Sequence, residues 1–403
     1  MKIKILLLII GLLTVMLFTL TGCESYDNFK AVFIDGNKIN EDTVRIAVYE
    51  PLSGPDKKYG ELEMMGIQIA NQLFPRVLGK KVKLMYFDNK SDIYIAETVV
   101  QEMVDKRVAI VLGSYGSVNS LMAAEKLEAA SIPAISITNT NPLVTSYNPF
   151  YFRVSYTDSF QGVALAKYIV DGLDFKKAAI IKPLQDDFAS AVSKSFSDKM
   201  IQLTEDEGAI LDSEEYIPGE KDFTKQLTGI SESGVKVVFL PGEVRDTIEI
   251  LKQADAMNLD VTFLGTDQWE SKKIMNFAKE NPRTKIAYSF LFDTNSTDNP
   301  LSKSFLDAYK DRYGADALPE SATTLAFDAY LVAIDAINRA GTAINGVTVR
   351  DALQNTIQFK GASGTISFDE HGDPIKTVAI KGIINGKAES IFTVEPKWVV
   401  QGI

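Results

Sequence analysis

AIVLGSYGSVNSLMAAEKLEAASIPAISI, residues Ala109–Ile137, reads as strand, loop, helix, strand. Ala109–Leu112 is a short apolar run, and Gly113-Ser-Tyr-Gly-Ser117 supplies the turn chemistry. Ser117–Ala130 is a helical stretch, and Ile132–Ile137 is apolar again. Two strands joined by a helix of ten or more residues form a parallel pair, because only a long crossover brings the chain back in the same direction. Upstream the same alternation begins at Thr43. Val44–Tyr49 (VRIAVY) is a strand, and Glu61–Leu73 has Met65, Ile67, Ala70 and Leu73 at helical spacing. Strand Val82–Phe87 and helix Ile95–Val104 follow.

Downstream of Phe150-Tyr-Phe-Arg153 a second series starts with helix Phe160–Val170 and strand Ala178–Ile181. Helix Ala189–Leu203, strand Ile210–Tyr216, helix Phe223–Ile230 and strand Val235–Leu240 continue it, then helix Thr247–Met257 and strand Val261–Gly265. Helical stretches Ser304–Tyr313 and Ser321–Ala340 come next, and a β-rich tail, Gly364–Phe368 and Thr377–Ile384, closes the chain. With no fixed-period repeat, two α/β lobes with parallel sheets covered on both faces fit the pattern.

Composition narrows the chemistry. The chain has 403 residues, 46% hydrophobic and 24% charged, an ordinary globular balance. Its net charge is −11, and the acidic surface argues against nucleic acid, which requires clustered Lys and Arg. The one histidine, His371, lies in the polar turn Phe368-Asp-Glu-His-Gly-Asp-Pro374, and the chain has one cysteine. A His-based nucleophilic triad has no serine elbow to serve, and zinc sites of His and Cys spacing are excluded. Neither a phosphate-cradling loop nor a dinucleotide fingerprint is present, so no cofactor is expected.

That cysteine, Cys23, ends a long apolar leader. Met1–Lys4 carries two lysines, Ile5–Leu20 is almost wholly apolar, and Leu20-Thr-Gly-Cys23 closes the segment. The order reads as a secretory signal peptide, residues 1–22, with an uncleaved membrane anchor as the other reading. Leu-Thr-Gly-Cys resembles the lipobox of bacterial lipoproteins. The resemblance implies cleavage before Cys23, a lipid-bearing (palmitate) N-terminus there, and a polar tether over residues 23–42. About 380 residues then remain outside the membrane, enough for two domains.

Open parallel sheets bind ligands where strand ends meet helix N-termini, which selects the loops Glu50–Gly60, Gly113–Asn119, Ser136–Asn141 and Gly265–Trp269. In the second of these, free N–H groups at a helix start favour an anion, and Ser117 is a good N-cap with a further donor. The alternative is that Ser117 only caps its own helix. Ser136-Ile-Thr138-Asn139-Thr140-Asn141 adds polar side chains at the same sheet end. Thr266-Asp267-Gln268-Trp269 and Pro241-Gly242-Glu243 put acids at two later strand ends. Anion donors facing an acid across a cleft complement a zwitterion such as a free α-amino acid.

The ordered set of short motifs resembles the solute-binding proteins of ABC importers, in the branched-chain amino acid class. The set comprises Pro51-Leu-Ser-Gly54 with Tyr59-Gly60, Gly113-x-x-x-Ser117, Ile135–Pro142, Phe152-Arg153 with Asp158 and Gln161-Gly162, Lys221-Asp-Phe223, Gly265-Thr-Asp267 and Gly364–Asp369. The resemblance runs from about Thr43 to about Ile391. It implies a type I periplasmic binding protein fold: α/β, with two doubly wound parallel-sheet lobes joined by three crossover strands. Lobe 1 is then 43–155 plus 288–361 and lobe 2 is 156–287 plus 362–403. The crossings fall near Val154–Thr157, Ala287–Phe290 and Gly361–Gly364.

By the same resemblance Ser117, Thr138 and Thr140 hold the ligand's α-carboxylate and part of its ammonium. Tyr59 contacts its side chain, and Asp267 takes the ammonium from the other lobe. Thr138-Asn139 stands where leucine binders have small apolar residues, Glu243 where an aromatic is frequent, and Phe188 where tyrosine is common. Glu243 either selects a cationic or amide-bearing ligand or points to solvent. Tyr115 and Trp269 either stack on a ligand or pack the core.

The expected function is capture of an amino acid or analogue, without catalysis, for delivery to a membrane permease. No metal site is expected. A sensory receptor on the same fold, signalling to a partner, is the alternative. A surface hydrolase using Asp267 and Glu243 is a third class, and it needs those acids roughly 5–10 Å apart.

Overall fold

The computed structural model describes residues 42–290, 299–384 and 386–394. The signal peptide, Cys23 and the tether up to Glu41 lie outside the described residues. The chain divides at Val44, and Arg45 onward forms the body of the fold. The first sheet has six strands: β1 (Thr43–Glu50), β2 (Arg76–Val77), β3 (Lys80–Asp88), β4 (Ile110–Gly113), β5 (Ala134–Ser136) and β6 (Tyr151–Arg153). Their order is β2-β3-β1-β4-β5-β6, and β1, β4, β5 and β6 are parallel.

Four helices interleave with these strands: α1 (Lys57–Leu73), α2 (Ala96–Asp105), α3 (Ser117–Ala129) and the short α4 (Leu143–Ser146). The Ala109–Ile137 stretch is indeed strand, helix, strand, with Val111↔Ala134 in parallel register. Ala47, Tyr49, Val111, Ala134 and Leu127 sit in one buried cluster between sheet and helices. Helix α1 begins a turn earlier than the apolar spacing alone indicates, at Lys57.

The second sheet begins with β7 (Ala178–Pro183), β8 (Ile210–Tyr216), β9 (Val237–Phe239), β10 (Thr262–Gly265) and β11 (Lys285–Phe290). Helices α5 (Asp158–Lys167), α6 (Asp187–Thr204), α7 (Thr224–Ser233), α8 (Val244–Ala256) and α9 (Lys272–Glu280) connect and cover it. Three more helices follow: α10 (Pro300–Tyr313), α11 (Ser321–Ala340) and α12 (Gly346–Gln354). A small antiparallel sheet comprises β12 (Phe359–Gly361), β13 (Gly364–Phe368) and β14 (Pro374–Ile375). β15 (Val378–Ile384) and β16 (Lys387–Val394) then complete the second sheet in the order β16-β15-β11-β10-β9-β7-β8. β15 runs antiparallel to β11.

The chain therefore revisits both sheets, as a type I periplasmic binding protein fold requires. Helix α11 lies along α1 and also meets β4 and β5 of the first sheet. A Cβ on Gly66 would come 1.9 Å from the Thr323 carbonyl oxygen, so glycine is what lets the two helices approach. Thr323 Oγ1 donates to the Leu62 carbonyl at 3.0 Å, and Tyr330 donates to that of Phe74 at 2.7 Å. Val154–Thr157 links β6 to α5, between the two sheets. Ala287–Phe290 belongs to β11 and pairs with β15. Gly361–Gly364 joins β12 to β13, where buried Asp328 of α11 accepts from the Ala362 and Ser363 amides at 2.5 and 2.8 Å. Among the described residues no helix is long and apolar enough to cross a membrane.

Candidate functional site

The loop after β4 is built on a buried acid. Glu50 ends β1, and its Oε2 accepts from the Tyr115 amide at 2.8 Å. A Cβ on Gly113, where φ is +109°, would meet Glu50 Oε1 at 2.3 Å, so glycine is required over that carboxyl. Tyr151 donates to the Gly113 carbonyl at 2.9 Å, and Asn139 Nδ2 donates to that of Ser114 at 2.9 Å. Ser117 is the first helical residue of α3, and not its cap as its residue type suggests. The cap is Gly116, at φ +84°, and no side chain closes this helix end. Its first-turn N–H groups and the Ser117 hydroxyl stand together beside the loop.

The loop after β5 is braced by a second buried acid. Thr138 Oγ1 donates to Glu63 Oε1 of α1. Its proton is thereby committed, leaving the hydroxyl oxygen to act as an acceptor. Asn139 is buried, and its carbonyl accepts from Arg153 Nη1 at 3.1 Å and from Ser155 Oγ at 2.5 Å. The Thr140 carbonyl accepts from the Asp158 amide at 3.1 Å, and the Thr140 side chain bonds the Asp158 carboxyl.

Asp158 and Gln161, three residues apart, share one face of α5. Burial raises the Asp158 carboxyl to about 6, against the pull of Thr140 and Arg153. Its Oδ1 is buried without a hydrogen-bond partner. Gln161 Oε1 accepts from the Asp267 amide at 3.2 Å and from Ser289 Oγ at 2.9 Å. Burial also raises Asp267 to about 6, opposed by Gln161 and reinforced by Asp158 and Glu270. Of these two acids from different elements, Asp158 thus acts on Asp267, and each is raised chiefly by burial. The charge of Asp267 also reaches Tyr115, whose ring stacks on Tyr59 with centroids 4.6 Å apart.

The fold brings Tyr59, Thr138, Asn139, Thr140 and Asp267 to the carboxyl ends of the two sheets, with Ser117 beside them. Phe188 is half-buried at the start of α6, two residues after its cap Asp186, whose charge bears on Asp158. Glu243 is exposed ahead of α8, and the acids acting on Asp267 are Asp158 and Glu270. Trp269 is core: a Cβ on Gly265 would touch its ring at 1.9 Å. Glu50, Glu63, Asp158 and Gln161 were not expected in the site. Glu50 could have been found from its place at a strand's carboxyl end, and Glu63 from its place on the buried face of α1, with Gly60 and Gly66.

Residues 43–387 match the periplasmic binding protein family. The leucine-, isoleucine-, valine-, threonine- and alanine-binding protein of Pseudomonas aeruginosa is 27% identical over 344 residues, spanning 82% of this chain and 87% of that protein. The crystal structure of a leucine-binding protein from Thermotoga maritima is 28% identical with a TM-score of 0.74, covering 88% of this chain and 99% of that one. The branched-chain amino acid transporter binding protein of Streptococcus pneumoniae, in complex with isoleucine, is 27% identical with a TM-score of 0.72, covering 88% and 100%. The chain, from its interleaved sheets to the loops at their carboxyl ends, belongs to the periplasmic binding protein family.

Proposed function

We propose that this protein is the extracytoplasmic substrate-binding lipoprotein of an ABC importer, tethered to the membrane by lipid on Cys23. It captures an amino acid by closure of two lobes, 43–155 plus 288–361 and 156–287 plus 362–403, and presents it to a permease. What supports this reading is the pairing of opposite charge character at the strand-end loops. Uncapped first-turn amides of α3 with Ser117 follow the loop that carries Tyr115, and Asp267, itself acted on by Asp158, bears on Tyr115. A zwitterion satisfies both halves: its carboxylate takes the amides and the Ser117 hydroxyl, and its ammonium takes Asp267, with Thr138 and Thr140 as further partners. Binding then stabilises the closed form because only that form offers both halves at once. Relatives named for leucine, isoleucine, valine, threonine and alanine binding support the same ligand class. The chain's part is binding, with transport powered by ATP hydrolysis elsewhere.

A thermal-shift screen of the form beginning after Cys23, against the common amino acids, small amides, polyamines and sugars, tests the class. A ligand at 100 times its Kd adds about 2.7 kcal/mol. Silence from every amino acid with a hit elsewhere overturns the reading. Asp267→Ala should weaken amino-acid binding by roughly 2–4 kcal/mol in calorimetry, because it leaves the ligand ammonium unpaired. Unchanged affinity removes Asp267 from the site.

A further inference from the structure

Glu50 and Glu63 are fully buried, and each acts on the other's carboxyl. Each carboxyl has one oxygen committed outward: Glu50 Oε2 accepts from the Tyr115 amide, and Glu63 Oε1 accepts from the Thr138 hydroxyl. The remaining two oxygens, Glu50 Oε1 and Glu63 Oε2, are buried and reached by no donor of the protein. Two carboxylates in contact in a dry interior repel each other, whereas one carboxylic acid facing one carboxylate satisfies both oxygens with a single proton.

We propose that Glu50 and Glu63 share one proton and thereby lock the two ligand-binding loops, 113–117 and 138–140, to each other, as a positioning pair for the ligand. This rests on the reading that those loops hold the ligand. Tyr115 stands two residues before Ser117, and Thr138 two before Thr140. A proton between the acids therefore links the loop at the end of β4 to the loop at the end of β5 through three consecutive hydrogen bonds. Gly113 is the residue that makes room for it, since any Cβ there would displace Glu50 Oε1.

The titratable groups facing the pair are phenols. They are Tyr49 on β1, Tyr115 in the loop itself, and Tyr151 on β6, each raised above the usual range mainly by burial. Asp56 and Asp267 lie beyond Tyr115 and act on it. None of these supplies positive charge, so nothing nearby replaces the proton once it leaves. Burial holds both carboxyls above the usual range, Glu50 further raised by the Glu63 charge. The sign follows: with both carboxyls raised, the pair takes a second proton at low pH, holds the single shared proton once pH passes neutrality, and loses it, and the lock with it, only as pH rises further through the second titration.

The test uses the form beginning after Cys23, with L-leucine as the probe, and the variants Glu50→Gln and Glu63→Gln. A glutamine at either position carries a permanent N–H where the shared proton would sit, and its carbonyl can still accept the outward bond. Wild type should lose about tenfold in L-leucine affinity over one pH unit above its titration point, one proton's worth. The variants should show a flat profile over the same range. Infrared difference spectra, wild type minus variant at mildly alkaline pH, should contain a protonated-carboxyl stretch that hydrogen–deuterium exchange shifts. A variant with the wild-type pH profile, or a difference spectrum without that stretch, overturns the proposal. If L-leucine binds none of these proteins, the ligand class is decided by the thermal-shift screen and not by this pair. The infrared band then still decides the shared proton, and exchange of the Tyr115 amide, faster in Glu63→Ala if the pair is a lock and unchanged if it is not, decides the coupling.

Discussion

At the residue scale the site is defined by acids that burial keeps above their ordinary range. Asp158 and Asp267 are both held near 6, chiefly by burial, and Asp158 keeps a buried oxygen without a donor. An ammonium group binds their ionised forms, so binding releases protons wherever these acids are protonated in the free protein. Their folded values lie above the ordinary ones, so the neutral forms favoured by the empty site persist up to about pH 6 and are lost above it. Affinity for an amino acid should therefore fall as pH drops below about 6, by about tenfold per pH unit for each proton displaced. Asp158→Asn should remove one proton's share of that slope, measured by calorimetry in buffers of different ionisation enthalpy. An unchanged proton release in the variant would show that Asp158 does not titrate with the ligand. Glu243, conspicuous in the sequence because it replaces an expected aromatic, stands exposed and is not among the groups that act on Asp267.

At the scale of elements, the contact between α1 and α11 anchors the late helices to the first sheet. It depends on Gly66, because the Thr323 carbonyl, the Ala326 Cβ and the Phe327 amide all fall within 3 Å of where a Cβ would sit. Two of those three atoms are backbone, so relief requires the helices to separate. Gly66→Ala should cost about 1–3 kcal/mol, read as a lower urea midpoint at unchanged m-value. A midpoint equal to wild type would mean that the helices part without loss. The strands and helices of both series were legible from apolar period alone, usually to within one or two residues. Helices α4, α9 and α12 were not, nor were strands β11 and β16 or the short strands β2, β6, β12 and β14. Lys272–Glu280 and Gly346–Gln354 are nine residues each and flanked by polar turns, and a strand of two or three residues has too few positions to show alternation.

At the scale of the molecule, one polar chain crosses from the first-sheet helices to the second sheet. Ser321, at the start of α11, donates to Glu270 Oε2, and Glu270 Oε1 pairs with Lys381 of β15 at 3.2 Å. Lys381 also lies 4.0 Å from the centroid of the Phe290 ring. Glu270 and Lys381 remain paired when Ser321 is truncated, so Ser321→Ala removes the crossing bond alone. If the lobes close on ligand, this variant should be more expanded than wild type in small-angle scattering without ligand and indistinguishable from it with ligand. Identical ligand-free profiles would show that the bond does not contribute to holding the lobes together.

The βαβ alternation, the glycine- and serine-rich turn after Ala109–Leu112 and the polar run Thr138–Asn141 were plain in the sequence, because period and turn chemistry are local properties. So was the placing of candidate residues at strand ends, since a parallel sheet leaves its loops nowhere else to go. Only the tertiary structure decided that Asp158, not Glu243, is the acid beside Asp267. It also decided that Thr138 gives its proton to Glu63, and that Glu50 and Glu63 meet beneath two loops remote in sequence. A carboxyl's charge state and partner depend on how much water the fold removes and which atoms it brings within 3 Å. Both are set by packing between segments more than a hundred residues apart in the case of Gln161 and Asp267, which no local pattern encodes.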